Sequence, residues 1–275
     1  MIVNLIIMYA NLIDVFKTNI SMLQNQPLSG GIVAKNLRIS DNGSGELTLY
    51  GDFNITLKVL DLTTDGAPSL NSLMTFTQQV ITSKLRGGGY KGGISYFKYD
   101  SSKKAFDLNK NQTYSIRYSF NFSVNVIQIK MLNELKGNDF VLAVVDSIGY
   151  QFTDQQGKRH YSGGLTNGMG GPAVISYDVW KRYKYIGVHE FFHTLGLVDI
   201  EDNSKKNRLM YHLGNNTGHS ISDAERGDMM QFIMRNIKDM TKSTYTNLNN
   251  NTVKLLGNFL NSPTNGFKFN QAKFR

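Results

Sequence analysis

One stretch constrains this chain more than any other, the run from Val188 to Asp199 with the sequence VHEFFHTLGLVD. If the run forms a helix, His189 and His193 stand four residues apart and project from one face. Two imidazoles at this spacing can hold one zinc ion, and Glu190 between them points toward the space beside the metal. The stretch therefore predicts a helix that presents a metal-binding face.

The residues that follow the second histidine extend the predicted site. Gly196 can leave the helix with a positive φ, which allows the chain to turn back. After that turn Asp199 can return to the metal as a third ligand, through a carboxylate oxygen. Three protein ligands leave one position open for water, which is typical of a catalytic zinc site rather than a structural one.

The same stretch has a simpler interpretation, an amphipathic helix without metal. Its phenylalanines and leucines would form the core, and its histidines would be surface polar groups. Phe191 falls opposite the histidines and Phe192 to their side, so the helix can be buried and still present a metal-binding face. We therefore favour the metal site.

The pattern HExxHxxGxxD, followed by Leu209-Met210-Tyr211, resembles the metzincin metallopeptidases. More narrowly, it resembles the snapalysin-type enzymes, in which an aspartate replaces the third histidine. The resemblance implies that His189, His193 and Asp199 are the zinc ligands. It also implies that Glu190 is the general base of a peptidase.

The resemblance covers residues 185–212, and it also bears on two residues near the end of that range, Met210 and His212. It implies that Met210 is the methionine of the turn beneath the metal. His212, two residues later, stands where some metzincins carry a tyrosine that approaches the zinc. This departure leaves open whether His212 contacts the metal, contacts the substrate or does neither.

Hydrophobic periodicity predicts strands and helices around this stretch. The predicted strands are 46–60, 114–126 and 140–145, with a short extended piece at 32–39. The predicted helices are 69–85, 128–135, 177–195 and 220–240, with a last short helix at 255–260. The order resembles a metzincin and implies an α+β fold, in which a twisted mixed β-sheet carries a backing helix and the active-site helix. A smaller, mostly helical C-terminal subdomain would follow.

A glycine-rich segment precedes the predicted active-site helix. In the family the strand at this place borders the cleft and pairs with extended substrate backbone. Residues 170–175 are the predicted rim of the cleft, and an ordinary surface loop is the alternative.

The chain is predicted to divide after residue 45. Residues 1–45 would be an N-terminal segment or linker, 46–196 the part of the metallopeptidase domain with the sheet and active helix, and 197–275 its C-terminal part. The first sixteen residues are mostly apolar, yet no Lys or Arg precedes Lys17, which is unlike a secretory signal. The run is also too short and too polar for a membrane span. We expect a buried helix, a helix that packs on a missing neighbour, or part of a longer chain.

The charge limits which partners are expected, and the cysteine content limits which covalent features the chain can have. The net charge is +9, but the basic residues are scattered and form no arginine-rich stripe. We interpret the charge as a solvated surface, so no specific nucleic-acid partner is expected. The absence of cysteine excludes disulfides and any cysteine-based latency.

Taken together, the resemblance implies a zinc-dependent endopeptidase that acts on a protein or peptide substrate. Its expected setting is a secreted bacterial protease or the toxin domain of a bacterial polymorphic or Rhs-type protein, with an inhibitor or immunity protein as partner. The alternative is a non-catalytic binding or toxin module that keeps the metzincin-like scaffold. Bound metal would distinguish the enzyme from the scaffold.

Overall fold

The computed structural model describes residues 32–42, 46–100, 105–136, 139–212, 219–233 and 252–274. The strands in these ranges are β1 (Val33–Asp41), β2 (Glu46–Asp61), β3 (Gly89–Asp100), β4 (Ala105–Ile129), β5 (Phe140–Val145), β6 (Gln151–Thr153), β7 (Arg159–Tyr161), β8 (Gly164–Thr166) and β9 (Ala173–Ser176). The helices are α1 (Leu70–Leu85), α2 (Tyr177–Arg182), α3 (Ile186–Thr194), α4 (Asp223–Ile233) and α5 (Thr252–Leu260). The predicted α+β class is confirmed.

Seven of the described strands form one mixed sheet. Its order is β3-β4-β2-β5-β9-β8, and β1 also pairs with β2. The pairs β2–β4, β2–β5 and β5–β9 are parallel. The pairs β1–β2, β3–β4 and β8–β9 are antiparallel. The strands β6 and β7 form a separate hairpin. This arrangement confirms the predicted mixed sheet and places β8 at its end.

Strand β5 lies at the centre of the core and explains why its sequence is continuously apolar. All six of its residues are buried. Phe140 packs against Phe191 of α3 with ring centroids 5.2 Å apart, on the face that α1, α3 and α4 cover. Val141 points to the opposite face, where Leu256 of α5 covers it. Because both faces of β5 are covered, the side chains that point to either face can all be apolar.

Helices α1 and α4 form where the sequence predicts them. Helix α1 begins at Leu70, one residue after the predicted start, and buries its apolar side in the core. Helix α4 begins with the predicted capping box, in which the Ser222 backbone N–H donates to the Glu225 carboxylate at 2.6 Å. The Glu225 N–H donates in return to the Ser222 hydroxyl at 3.2 Å. The predicted continuation of this helix beyond residue 233 lies outside the described residues.

The single helix predicted at 177–195 is wrong, because the chain forms two helices with a break at residues 183–185. The break brings Gly187 against the buried indole of Trp180, so closely that a Cβ at 187 would lie 2.9 Å from the indole Nε1. In a straight helix these residues would be about 10 Å apart along the axis. The core contact therefore requires the turn, and no proline or glycine at the break signals it.

The predicted helix at 128–135 is also wrong. Strand β4 continues to Ile129, which pairs with Leu60 of β2, and only Leu132–Glu134 forms a 3-10 turn. The Glu134 carboxylate accepts hydrogen bonds from the backbone N–H groups of Lys130 and Met131. This local capping supports a tight turn in place of a helix.

The rim of the cleft predicted at residues 170–175 does not coincide with the strand at the end of the sheet. Residues 173–175, which end the predicted rim, belong to β9, and all four residues of β9 are buried between β5 and β8. The strand at the end of the sheet is β8 (Gly164–Thr166) instead. The prediction is wrong because the glycine-rich segment contains two strands, and the second of them fills the interior position.

Other predictions concern the amino-terminal part of the chain. The extended piece predicted at 32–39 is confirmed, because β1 pairs with β2 from Val33 to Asp41. The first sixteen residues lie outside the described ranges, and the division into domains stays a prediction. None of the helices within the described ranges combines the length and apolar character that crossing a bilayer requires.

Candidate metal centre

The two histidines of α3 meet at their Nε2 atoms. His189 and His193 lie one turn apart on the helix, and their Nε2 atoms are 3.0 Å apart. The two rings are nearly perpendicular, with an interplanar angle of 88° and centroids 4.6 Å apart. Phe191 and Phe192 of the same helix are fully buried in the core. The helix is thus anchored by its apolar side while its histidines converge on one point.

Asp199 completes a triangle with the histidines. Gly196, just beyond α3, has a φ of 96°, a conformation that glycine adopts without strain. The chain turns there and brings Asp199 Oδ1 to 3.2 Å from His189 Nε2 and 3.4 Å from His193 Nε2. The positive φ predicted at Gly196 is confirmed.

Backbone carbonyls set the orientation of both imidazoles. His189 Nδ1 lies 2.9 Å from the Leu209 carbonyl oxygen, and His193 Nδ1 lies 2.7 Å from the Leu197 carbonyl oxygen. A carbonyl oxygen can only accept, so each Nδ1 carries a proton and donates it. In the neutral rings the lone pair is then on Nε2, which is the tautomer that binds a metal.

The spacing of these three atoms fits a tetrahedral zinc ion. Zinc binds nitrogen and oxygen ligands at about 2.0–2.1 Å, so neighbouring ligand atoms of a tetrahedron are about 3.3 Å apart. The three distances of 3.0, 3.2 and 3.4 Å agree with that value. Two imidazole nitrogens and one carboxylate oxygen are also a donor set that zinc accepts. The distances, tautomers and donor types of His189, His193 and Asp199 therefore fit a zinc ion.

Glu190 lies beside this triangle on the buried side. Its side chain is only 4% exposed, and its carboxylate lies within 4.8 Å of the ligand nitrogens of His189 and His193. The carboxylate Oε2 accepts a hydrogen bond from the Thr166 hydroxyl at 2.8 Å. Asp199 Oδ1 lies 3.2 and 3.4 Å from the two nitrogens, and the Glu190 carboxylate is held by Thr166, so we expect Asp199 rather than Glu190 to be the third ligand.

The charges of the centre depend on one another. Burial raises the pKa of Glu190, and the nearby histidines only partly oppose this effect. Burial alone lowers the pKa of His193, but the hydrogen bond to Asp199 and the negative charges of Glu190 and Asp199 together outweigh burial and raise that pKa to about 9. Burial favours the neutral form of Asp199, but its hydrogen bonds to His189 and His193 lower its pKa overall. Without a bound cation, the triangle is therefore held by an ion pair.

The turn that carries Met210 contacts one imidazole of the candidate centre. Met210 is fully buried, and its carbonyl oxygen accepts a hydrogen bond from the Ile200 N–H at 2.7 Å. The Tyr211 N–H donates to the Arg208 carbonyl oxygen at 3.2 Å, which closes the turn. The residue before the methionine is Leu209, whose carbonyl oxygen holds His189. The turn thus contacts the candidate metal centre through a backbone atom.

His212 lies in the wall of the cleft in front of the centre. Its ring stacks on Tyr211 with centroids 4.9 Å apart, and it lies edge-on to Phe152 at 6.3 Å. Its Nε2 atom is buried and has no hydrogen-bond partner among the described residues. The triangle of ligand atoms is complete without His212.

The centre opens into a cleft of about 1040 Å³. One side of the cleft is the β6–β7 hairpin, which contributes Phe152 and His160. His160 stacks on Phe152 at 5.5 Å and pairs with Asp154 at 2.7 Å. Exposed apolar side chains also line it, among them Tyr161 (70% exposed), Met169 (64%) and Val198 (76%).

The sequence alone identifies the four polar side chains of the centre, but it does not identify the groups that hydrogen-bond to them. The Leu197 and Leu209 carbonyls are backbone atoms, and side-chain patterns carry no signal for them. Thr166 stands 24 residues before Glu190, and no motif marks it. The hairpin could have been suspected from the turn residues between Asp154 and Lys158. The roles of His189, Glu190, His193, Asp199, Met210 and His212 stay predictions.

Comparisons with known proteins add little to this geometry. No protein-family profile and no curated protein matches the chain. Among solved structures, archaemetzincin from Methanopyrus kandleri is similar at 15% sequence identity, over 71% of this chain and 93% of that chain, with a TM-score of 0.31. Neither fold nor function follows from so low a score, so the candidate centre depends on its own geometry.

Proposed function

We propose that the protein is a zinc-dependent endopeptidase. The observation that carries the proposal is the triangle of His189, His193 and Asp199, with distances of 3.0–3.4 Å and both Nε2 atoms turned inward. The buried carboxylate of Glu190 stands beside it. Three ligands and a neighbouring carboxylate are the elements of a hydrolytic zinc site.

The three ligands would hold the ion and leave one side open to the cleft. A bound zinc ion supplies a Lewis acid that polarises the scissile carbonyl and lowers the pKa of a water molecule. Asp199 lies at the mouth of the site, with a side chain that is 49% exposed. The site can therefore be reached from the cleft, which a peptide bond must enter.

Glu190 performs the proton transfers. As water attacks the carbonyl carbon, the Glu190 carboxylate accepts a proton from it. When the C–N bond breaks, Glu190 donates that proton to the leaving amine nitrogen. The base is thereby regenerated, and the net reaction is the addition of one water across the peptide bond.

A polypeptide substrate is supported by the shape and lining of the cleft. Strand β8 pairs with β9 on one side and ends the described sheet, so its other side can pair with extended backbone. The exposed side chains of Tyr161, Met169 and Val198 offer apolar contacts beside that edge. The bacterial, secreted or toxin setting stays a prediction from the sequence.

The test is hydrolysis of an unfolded, fluorescently labelled protein by the purified, zinc-loaded protein. We expect cleavage that stops on addition of a chelator and returns with zinc. Glu190→Gln should lose at least about 100-fold in kcat, because general base catalysis typically contributes 10²–10⁴-fold. Its zinc content should stay that of the wild type.

A matched control is Glu201→Gln, which neutralises an exposed carboxylate that also lines the cleft. This variant should cleave like the wild type. Full activity of Glu190→Gln would contradict the mechanism. Zinc binding without hydrolysis of any substrate would favour the non-catalytic binding module.

A further inference from the structure

The edge strand β8 holds the general base proposed above, and this inference depends on that proposed function. Thr166 is the last residue of β8, and its Oγ1 lies 2.8 Å from Glu190 Oε2. The same Oγ1 lies 3.1 Å from the Glu190 backbone carbonyl oxygen. A hydroxyl has one proton to donate, and the shorter contact is to the carboxylate.

A second residue of β8 leaves room for the same carboxylate. Gly164 and Thr166 are two apart on the strand, so they face the same side. A Cβ at position 164 would lie 2.5 Å from both the Cγ and the Oε1 of Glu190. The side chain of Glu190 therefore occupies the space in front of Gly164, with its other oxygen held by Thr166.

The strand that makes these contacts is itself firmly attached. Each of its residues pairs with β9, Gly164 with Ile175 and Thr166 with Ala173 among them. The loop that follows is tied to α3, because the Gly170 N–H donates to the Thr194 carbonyl oxygen at 2.8 Å. The Thr166 hydroxyl thus keeps its place relative to the helix that carries Glu190.

We propose that Thr166 is a positioning residue for Glu190, whose hydroxyl fixes the carboxylate in the orientation that accepts the proton of the attacking water. The hydroxyl proton stays on Thr166 throughout and is not transferred. Without this hydrogen bond the carboxylate can rotate away from the open side of the centre. Misplacement of a catalytic group by about 1 Å can cost on the order of 100-fold in rate.

The test compares Thr166→Val, which keeps the shape of threonine without its hydroxyl, with Thr166→Ser, which keeps the hydroxyl. For the zinc-loaded proteins we expect Thr166→Val to lower kcat by about 10- to 100-fold, with KM within about twofold. Zinc content should be unchanged. Thr166→Ser should recover most of the lost rate, which a role in packing alone does not explain.

Thr75→Val is a suitable control, because Thr75 is exposed on α1, outside the cleft, and its hydroxyl donates to the Asn71 carbonyl oxygen. It should leave kcat unchanged. If Thr166→Val does not fold, Thr166→Ala provides the same comparison with Thr166→Ser. Two results would overturn the inference, provided that the wild type is active. One is a wild-type kcat in the variant without the hydroxyl, and the other is a kcat of Thr166→Ser as low as that of Thr166→Val. Absence of hydrolysis by the wild type would instead overturn the proposed function.

Discussion

The Nδ1 atom of His189 lies 2.9 Å from the carbonyl oxygen of Leu209, the residue before the buried Met210. The carbonyl selects the tautomer of His189 and fixes the plane of its ring. Its own position is set by the turn around Met210, which is packed in the core. We therefore predict that Met210 influences the candidate metal centre through backbone geometry rather than through its sulfur.

Substitution of Met210 should weaken zinc binding without removing a ligand. Met210→Ala leaves a cavity and should lower the free energy of unfolding by about 2–5 kcal/mol. Zinc affinity should fall by roughly 10- to 100-fold, as it does when an outer partner of a ligand is lost. Met210→Leu conserves the volume and should cost less than about 1.5 kcal/mol. Competition with a fluorescent zinc chelator would measure the affinities. Equal affinity in the alanine and leucine variants would contradict the role of the turn.

Substitution of Gly196 should lower the zinc affinity as well as the stability of the protein. Its φ of 96° makes Gly196→Ala unfavourable by about 1–2 kcal/mol. The new Cβ would also lie 3.2 Å from Met169 Sδ, and the turn it disturbs carries Asp199. Gly66→Ala is the matched control, because Gly66 has a φ of 79° and open space around it.

Both glycine variants should lose similar stability in denaturant unfolding. Only Gly196→Ala should also lose zinc affinity, since Gly66 lies in a loop before α1, away from the ligands in sequence. An unchanged zinc affinity in Gly196→Ala would show that Asp199 reaches the metal independently of this turn.

Zinc binding should release protons at neutral pH. Burial lowers the pKa of His193, but its hydrogen bonds and the negative charges of Glu190 and Asp199 together raise that pKa to about 9, so we expect His193 to be protonated at pH 7 in the metal-free protein. Zinc needs the unprotonated nitrogen, so binding displaces about one proton from this group. The apparent affinity should therefore weaken as the pH falls below about 9. Calorimetric titrations in two buffers of different ionisation enthalpy would count the protons, and a count of zero at pH 7 would contradict the ion pair.

The helix-borne part of the centre is predictable from sequence because the spacing within one helix is set by local geometry. Four residues separate His189 from His193, and one turn of helix brings their rings together. Gly196 is predictable for a similar reason, since a chain that reverses after a helix favours a residue with positive φ. The position of Asp199 follows from that turn.

The rest of the centre depends on contacts between distant parts of the chain. Thr166 reaches Glu190 because β8 pairs with β9, which is a property of the sheet rather than of the residues near Thr166. The break between α2 and α3 depends on the contact of Trp180 with Gly187, which periodicity within a single helix cannot predict. In both cases tertiary packing overrides or adds to the local pattern.

The most direct test is the zinc content of purified protein, measured by elemental analysis for the wild type, Asp199→Ala and Asp202→Ala. Asp202 is an exposed carboxylate three residues further along, and it accepts a hydrogen bond from the Ser204 N–H. We predict about one zinc per chain in the wild type and in Asp202→Ala, and a large loss in Asp199→Ala. No zinc in the wild type, or full retention in Asp199→Ala, would contradict the three-ligand centre.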